Sequence, residues 1–150
     1  MTLTEVTQDL FATPEEYYLV HCVSADFALG AGIAKEFTKR FDMRHKLRTN
    51  HPDYLDKYTR HRIGGDCILE GKVLNLITKE RYYMKPTIIT LRIALEKMRQ
   101  ICLVNNIKKL AMPRIGCGLD RLRWDDVKKN LEWRISSDEI FALELKENKK

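Results

Sequence analysis

Two short glycine-bearing stretches carry most of the chemistry open to this sequence. The first runs Ser24-Ala25-Asp26-Phe27-Ala28-Leu29-Gly30-Ala31-Gly32-Ile33-Ala34 and the second Met112-Pro113-Arg114-Ile115-Gly116-Cys117-Gly118-Leu119-Asp120-Arg121-Leu122. Paired glycines allow positive φ and a near approach of backbone to a ligand. Set between a strand's carboxyl end and a helix, such a loop can turn its N–H groups towards an anion. One loop of this kind is as often only a tight turn; two at separate strand-to-helix junctions favour a phosphate site. Side chains with chemistry of their own stand around them: Ser24, Cys117, Asp120, and Lys79 at the end of a further apolar run. Cys117 and His21 are in principle a thiol nucleophile and its base. A side chain between Gly116 and Gly118 suits backbone donation better, and a histidine in an apolar run is more often a satisfied core residue. Asp120 could also cap a helix begun near Leu122, Ser24 could be a turn hydroxyl, and Arg114 and Arg121 suit either ion pairs or ligand contacts.

The elements that must hold these groups follow from periodicity. Leu3 to Val6 predicts a short strand, and Tyr17 to Val23 is an apolar and aromatic run suited to a strand covered on both faces. Ile33, Phe37 and Phe41 form one stripe of a helix with Lys35, Lys39 and Arg40 elsewhere. Pro52 to about Arg60 reads as a short helix, Gly64-Gly65 as a break, and Asp66 to Glu70 and Lys72 to Lys79 as strands joined at Gly71. Pro86-Thr87 opens the longest helix, to about Asn105, with Leu91, Leu95, Met98, Ile101 and Cys102 on one face. Leu110 to Ile115 predicts a buried strand, Trp124 to about Ile135 a helix, Ile140 to Leu145 a last strand, and 146–150 a frayed tail. Alternating strands and helices without repeats or a linker predict a single α/β domain over 1–150, a central mixed sheet with helices on both faces. In open sheets of this kind ligands bind beyond the carboxyl ends of the strands. Both glycine loops and Lys79 fall there.

Composition narrows the class. At 150 residues, 44% hydrophobic and 32% charged, the chain fits one soluble globular domain. No apolar run approaches the roughly 20 residues of a membrane span, and the first 20 residues lack the pattern of a secretory signal, so an intracellular protein without a membrane partner is expected. Cys22, Cys67, Cys102 and Cys117 show no metal-binding spacing, and reduced thiols are expected, with Cys67 and Cys102 in the core. The net charge of +6 is concentrated between Lys35 and Arg62, where nine Lys or Arg oppose four acids, a local excess of +5. With Tyr54 and Tyr58 this segment offers a contact for DNA or RNA phosphates; a solvated helical face is the plainer reading.

Taken together the motifs resemble the macrodomain family, closest to its terminal ADP-ribose protein glycohydrolase branch. The resemblance rests on Asp9-Leu10-Phe11-Ala12, His21-Cys22-Val23-Ser24 with Gly30 to Ala34, Ile77-Thr78-Lys79 with Lys85-Pro86-Thr87, and Met112 through Leu122, and it spans about Thr2 to Leu145. It implies a three-layer α/β/α fold and ADP-ribose, or ADP-ribosylated protein, as the partner of a monomer. Asp9 would accept from the adenine amino group, with Leu10 beside it. Backbone amides of Gly30, Ala31, Gly32, Ile33 and Ala34 would hold one side of the diphosphate, and those of Ile115, Gly116, Cys117, Gly118 and Leu119 the other. Ser24 and Asp120 would lie near the distal ribose. Lys79 would be the nucleophile against ADP-ribose linked to an acidic side chain, with Asp120 as acid/base, and O-acyl-ADP-ribose would be deacylated by the same means. Neither reaction calls for a metal or a cofactor.

The residue types suit that chemistry, since an amine traps a sugar aldehyde as a Schiff base and a hydroxyl does not. Only the neutral amine adds, and an ordinary lysine is neutral in about one molecule in a thousand at pH 7. Burial, or the charge of Arg81 two residues on, therefore becomes part of the requirement. The sequence departs from the family pattern at Gln8, where a glycine is expected. Met43 to Arg62 is longer and more basic than expected, and 80–84 matches nothing to which a role attaches. Three other readings remain open: a module that binds ADP-ribose without turnover, a phosphatase acting on ADP-ribose 1″-phosphate, and a nucleic-acid-binding α/β protein whose glycine loops are only turns.

Overall fold

The computed structural model describes residues 3–115, 123, 125–127, 129 and 141–146. Among them, strands β1 (Leu3–Thr7), β2 (Tyr18–Ser24), β3 (Asp66–Glu70), β4 (Val73–Lys79), β5 (Lys109–Met112) and β6 (Phe141–Lys146) form one sheet in the order β1-β6-β5-β2-β4-β3. The edge strand β3 is antiparallel to β4, and the other pairings are parallel. The helices are α1 (Gly32–Phe41), α2 (Met43–Asn50), α3 (Tyr54–Arg60) and α4 (Ile88–Val104); a 3-10 turn at Leu10–Ala12 lies between β1 and β2, and residues 125–127 and 129 are also helical.

The central strands are apolar because both their faces are covered. In β4, Leu74 and Leu76 pack with Leu91, Leu95 and Met98 of α4, while Val73 and Ile77 pack on the opposite side with Phe37 of α1 and Met43 and Leu47 of α2. Helix α4 starts in a capping box: the Thr87 hydroxyl accepts from the Thr90 N–H at 3.1 Å and the Thr90 hydroxyl accepts from the Thr87 N–H at 3.0 Å. Gly65, at φ +145°, lies so near this helix that a Cβ there would sit 2.6 Å from the Thr90 carbonyl oxygen.

The expected hairpin forms through Gly71, at φ +58°. Elsewhere the structure corrects the expectation. An additional helix, α2, occupies the basic segment; its only buried residues, Met43 and Leu47, are too few for a periodic signal. It begins after Asp42, at φ +54°, and ends at His51, and a second αL residue, Asp53 at φ +59°, starts α3. Strand β5 ends at Met112 rather than Ile115, since Pro113 has no N–H for the ladder. Tyr54 and Tyr58 do not face solvent phosphates. Tyr58 is buried, and Tyr54 donates to Asp66 Oδ2 and stacks on Phe27 with centroids 5.1 Å apart. Lys146, expected in the tail, closes β6 opposite Thr7. Cys67 and Cys102 are buried as expected, and burial pushes the Cys102 thiol up to about 12. No helix among the described residues is long and apolar enough to cross a membrane.

His21 is a core residue. It is fully buried on β2, stacked on Phe37 with centroids 3.8 Å apart, and its Nε2 lies 2.5 Å from Oδ1 of Asn75, its register partner on β4. The Asn75 amide in turn donates to the Ile68 carbonyl at 3.1 Å. Burial pushes the His21 imidazole down to about 4 against a partial opposing effect of the Asn75 hydrogen bond. The unfolded chain therefore takes up a proton near pH 6.5 that the folded chain refuses until about pH 4, so stability falls as pH drops through that window. Urea unfolding at pH 7 and pH 5 is expected to show a loss of about 2 kcal/mol from this group. His21→Gln, whatever its absolute stability, should lack that component; an identical loss in both proteins would refute the assignment.

Candidate active site

The carboxyl ends of β2 and β4 meet at one pair of residues. Ser24 stands opposite Lys79, just after an irregularity in register between Val23 and Ser24, and the Ala25 N–H donates to the Lys79 carbonyl at 2.9 Å. A register break of this sort re-aims the side chains beside it. Ser24 is buried and Lys79 half-buried. The Ser24 hydroxyl donates to Asp26 Oδ1 at 2.5 Å. Asp26 Oδ1 also accepts from the Ala28 N–H at 3.2 Å, and Oδ2 accepts from the Tyr82 N–H at 3.0 Å. One carboxylate thus ties the loop after β2 to the segment after β4. The sequence does not single out Asp26, because one of its donors, Tyr82, lies 56 residues away.

Beyond Asp26 the chain is bent to reach α1. Phe27 and Leu29 hold φ of +52° and +44°, unusual for side chains of that size, and both are buried. Core packing and a hydrogen bond from Arg44 Nη2 to the Leu29 carbonyl at 3.3 Å hold them there. Gly30, Ala31 and Gly32 are exposed, and Gly32, at φ +59°, is where a glycine is needed. Ala31 is the N-cap of α1 and supplies no side-chain cap, so the first-turn N–H groups at Gly32, Ile33 and Ala34 are presented at the open end of the helix.

Asp9 caps the 3-10 turn, its Oδ1 accepting from the Phe11 N–H at 3.0 Å, and it is exposed, while Leu10 is buried. The Phe11 ring packs edge-on against Phe37 at 5.1 Å and carries the Arg40 guanidinium 4.4 Å from its centroid. Asp9 is thereby fixed beside α1. Ile115 is buried, and because β5 parallels β2, the chain beyond Met112 leaves the sheet in the direction of the edge that holds Ser24 and Lys79. Gly116, Cys117, Gly118, Leu119 and Asp120, with Arg121 and Leu122, lie outside the described residues. Arg114 approaches Glu5 at 4.0 Å, the ion-pair role of the two that its sequence position left open. His21 is buried with Nε2 held by Asn75, the core position that an apolar run suggests for it.

The basic segment divides in two. Arg40, Arg44, His51 and Arg60 have internal contacts, with Glu36 and Phe11, Leu29, Glu70 and Asp56 respectively. Lys35, Lys39, Lys46, Arg48, Lys57 and Arg62 are exposed. A separate cleft of about 480 Å³ between β3 and α4, lined by Asp66, Arg92, Glu96 and Lys97 among others, contains none of the predicted site residues. Among the described residues no group of His, Cys, Asp and Glu is arranged to hold a metal ion.

Comparison with known proteins places this arrangement. No family model matches the chain. The ADP-ribose glycohydrolase OARD1 of Bos taurus is 42% identical over 138 residues, 92% of this chain and 87% of the relative, and its Homo sapiens counterpart is 41% identical over the same span. Among solved structures, the macrodomain of Mycobacterium tuberculosis DarG superposes with a TM-score of 0.76 at 22% identity, covering 96% of this chain and 97% of that one. The macrodomain of Thermus aquaticus DarG gives 0.73 at 21% identity, covering 98% and 99%. The fold is therefore the three-layer α/β/α arrangement expected. With two-fifths of its residues shared with the glycohydrolases over almost their whole length, and with its glycine loop and strand-end lysine at one edge of the sheet, the chain belongs to the macrodomain family.

Proposed function

We propose that this macrodomain is an ADP-ribosyl hydrolase that removes mono-ADP-ribose from acidic side chains and deacylates O-acyl-ADP-ribose, with Lys79 as nucleophile and Asp120 as acid/base. The observation that carries the reading is the register of Ser24 with Lys79 at the carboxyl edge of the sheet, directly before the uncapped start of α1. A diphosphate held by the amides of Gly30 to Ala34 on one side, and by those of Ile115 to Leu119 on the other, directs the distal ribose to that pair. Asp9 takes the adenine end. The Lys79 amine attacks the anomeric carbon, the bond from that carbon to the carboxylate oxygen breaks, and the acidic side chain departs. The sugar–lysine adduct opens to a Schiff base, which water hydrolyses with proton transfer through Asp120. ADP-ribosylated nucleic-acid bases present the same anomeric carbon, and the exposed cations of 35–62 support DNA or RNA as a second carrier.

Incubation with an ADP-ribosylated glutamate peptide is expected to release ADP-ribose, followed by chromatography and intact-protein mass. Lys79→Ala should slow release by roughly a thousandfold or more while still binding ADP-ribose, and a covalent adduct should map to Lys79 in the wild type. Undiminished release by Lys79→Ala would reduce the mechanism to Asp120 and water, and absence of release by the wild type would make the protein a reader. For the nucleic-acid carrier, charge reversal is best placed at Lys39 and Lys46, because Arg40 and Arg44 have structural contacts. Lys39→Glu with Lys46→Glu should weaken binding of a DNA oligonucleotide by roughly tenfold at low salt and flatten its salt dependence. Unchanged anisotropy titrations would remove this segment from the interface.

A further inference from the structure

The segment that follows Lys79 is built as a rigid turn that displays two aromatic rings. The Met84 N–H donates to the Arg81 carbonyl at 3.0 Å, closing the turn. Upstream it is pinned by the Tyr82 N–H on the Asp26 carboxylate, the same carboxylate that holds Ser24. Downstream it runs into buried Pro86 and the Thr87 capping box. Between these anchors Tyr82 and Tyr83 are 65% and 68% exposed, with centroids 5.3 Å apart and planes at 88°. Exposed Arg81 and Lys85 flank them. Isolated exposed tyrosines are ordinary. A hydrogen-bonded turn that holds two of them out of the core, between two cations and three residues past the strand-end lysine, is less so.

We propose that Tyr82 and Tyr83 form a stacking platform for a single-stranded nucleic acid whose modified nucleotide occupies the neighbouring site. Ring faces take up unpaired bases whatever their sequence, and Arg81 and Lys85 meet the phosphates on either side. The carrier chosen is nucleic acid because an acidic peptide would engage the two cations but give the rings nothing flat to stack on. Because the turn is already fixed by Asp26, little ordering opposes binding. The proposal rests on the reading of the adjoining site as one for ADP-ribose, and it deepens the nucleic-acid branch of that reading.

The test is fluorescence anisotropy with an unmodified 12-nucleotide single strand on the wild type, Tyr82→Ala/Tyr83→Ala and Tyr82→Phe/Tyr83→Phe. ADP-ribose affinity by calorimetry and thermal unfolding are measured on the same preparations. The alanine pair is expected to bind the strand about fivefold more weakly or worse, the phenylalanine pair to bind within about twofold of wild type, and all three to bind ADP-ribose alike. Equal strand binding by the alanine pair and the wild type would overturn the proposal. So would a glutamate-rich peptide probe that loses affinity on the alanine substitutions when the strand does not, because that would make a protein the occupant. Failure of the wild type to bind ADP-ribose would instead strike at the site reading itself, a result separable from the others.

Discussion

Two adjacent strands buried on both faces leave no water for their polar groups, and the structure depends on how β2 and β4 meet that constraint. Their backbones satisfy each other through the parallel ladder. The polar side chains placed among the leucines and valines, His21 and Asn75, stand in register and engage each other, with Asn75 also donating to Ile68 on the next strand. A one-residue slip of β4 against β2 would separate them and turn the apolar positions of the strand to the wrong faces. Past the irregularity after Val23, the strands bring Ser24 against Lys79, three residues beyond His21 and four beyond Asn75. A buried, uncharged hydrogen bond thus fixes the core register of β2 and β4, and the irregularity after Val23 sets the final pair at the mouth.

At that edge the chain changes from ladder to loop, and Asp26 takes over from backbone pairing. Its oxygens accept from a hydroxyl and an amide on its own loop and from an amide on the segment after β4. The strained backbone at Phe27 and Leu29 is tolerated because their side chains are buried, the former against Tyr54. Aromatic residues of the basic segment therefore support the glycine loop from beneath, while many of that segment's lysines remain in solvent.

What was legible in the sequence was what depends on neighbours along the chain. The apolar run of β2, the hairpin at Gly71, the Thr87 start of α4 and the glycine loop before α1 each declare themselves within a few residues. Asp26 does not, since an aspartate in Ser-Ala-Asp-Phe looks like any turn residue until Tyr82 arrives from the other strand. Helix α2 was hidden because two buried side chains among eight residues make no stripe. Tyr54 and Tyr58 were placed on the surface because their neighbours are charged, yet a short helix can turn one aromatic face inward while its cations stay in water. Ser24 and Lys79 stand at the carboxyl ends of β2 and β4, as their place in the strand runs implied, and the loop from Gly116 to Asp120 lies outside the described residues.

The absence of a side chain at Gly65 sets a distance elsewhere. Helix α4 rests its first turn against that backbone, with the Thr90 carbonyl where a methyl group would be. The start of α4 is also the downstream anchor of the turn that carries Tyr82 and Tyr83, through Pro86 and Thr87. The missing methyl group is therefore a spacer of zero thickness between the sheet edge and the rim of the site. A single carbon added just before β3, beside the carboxyl end of β4, would act as a lever, lifting the helix and tilting the aromatic turn.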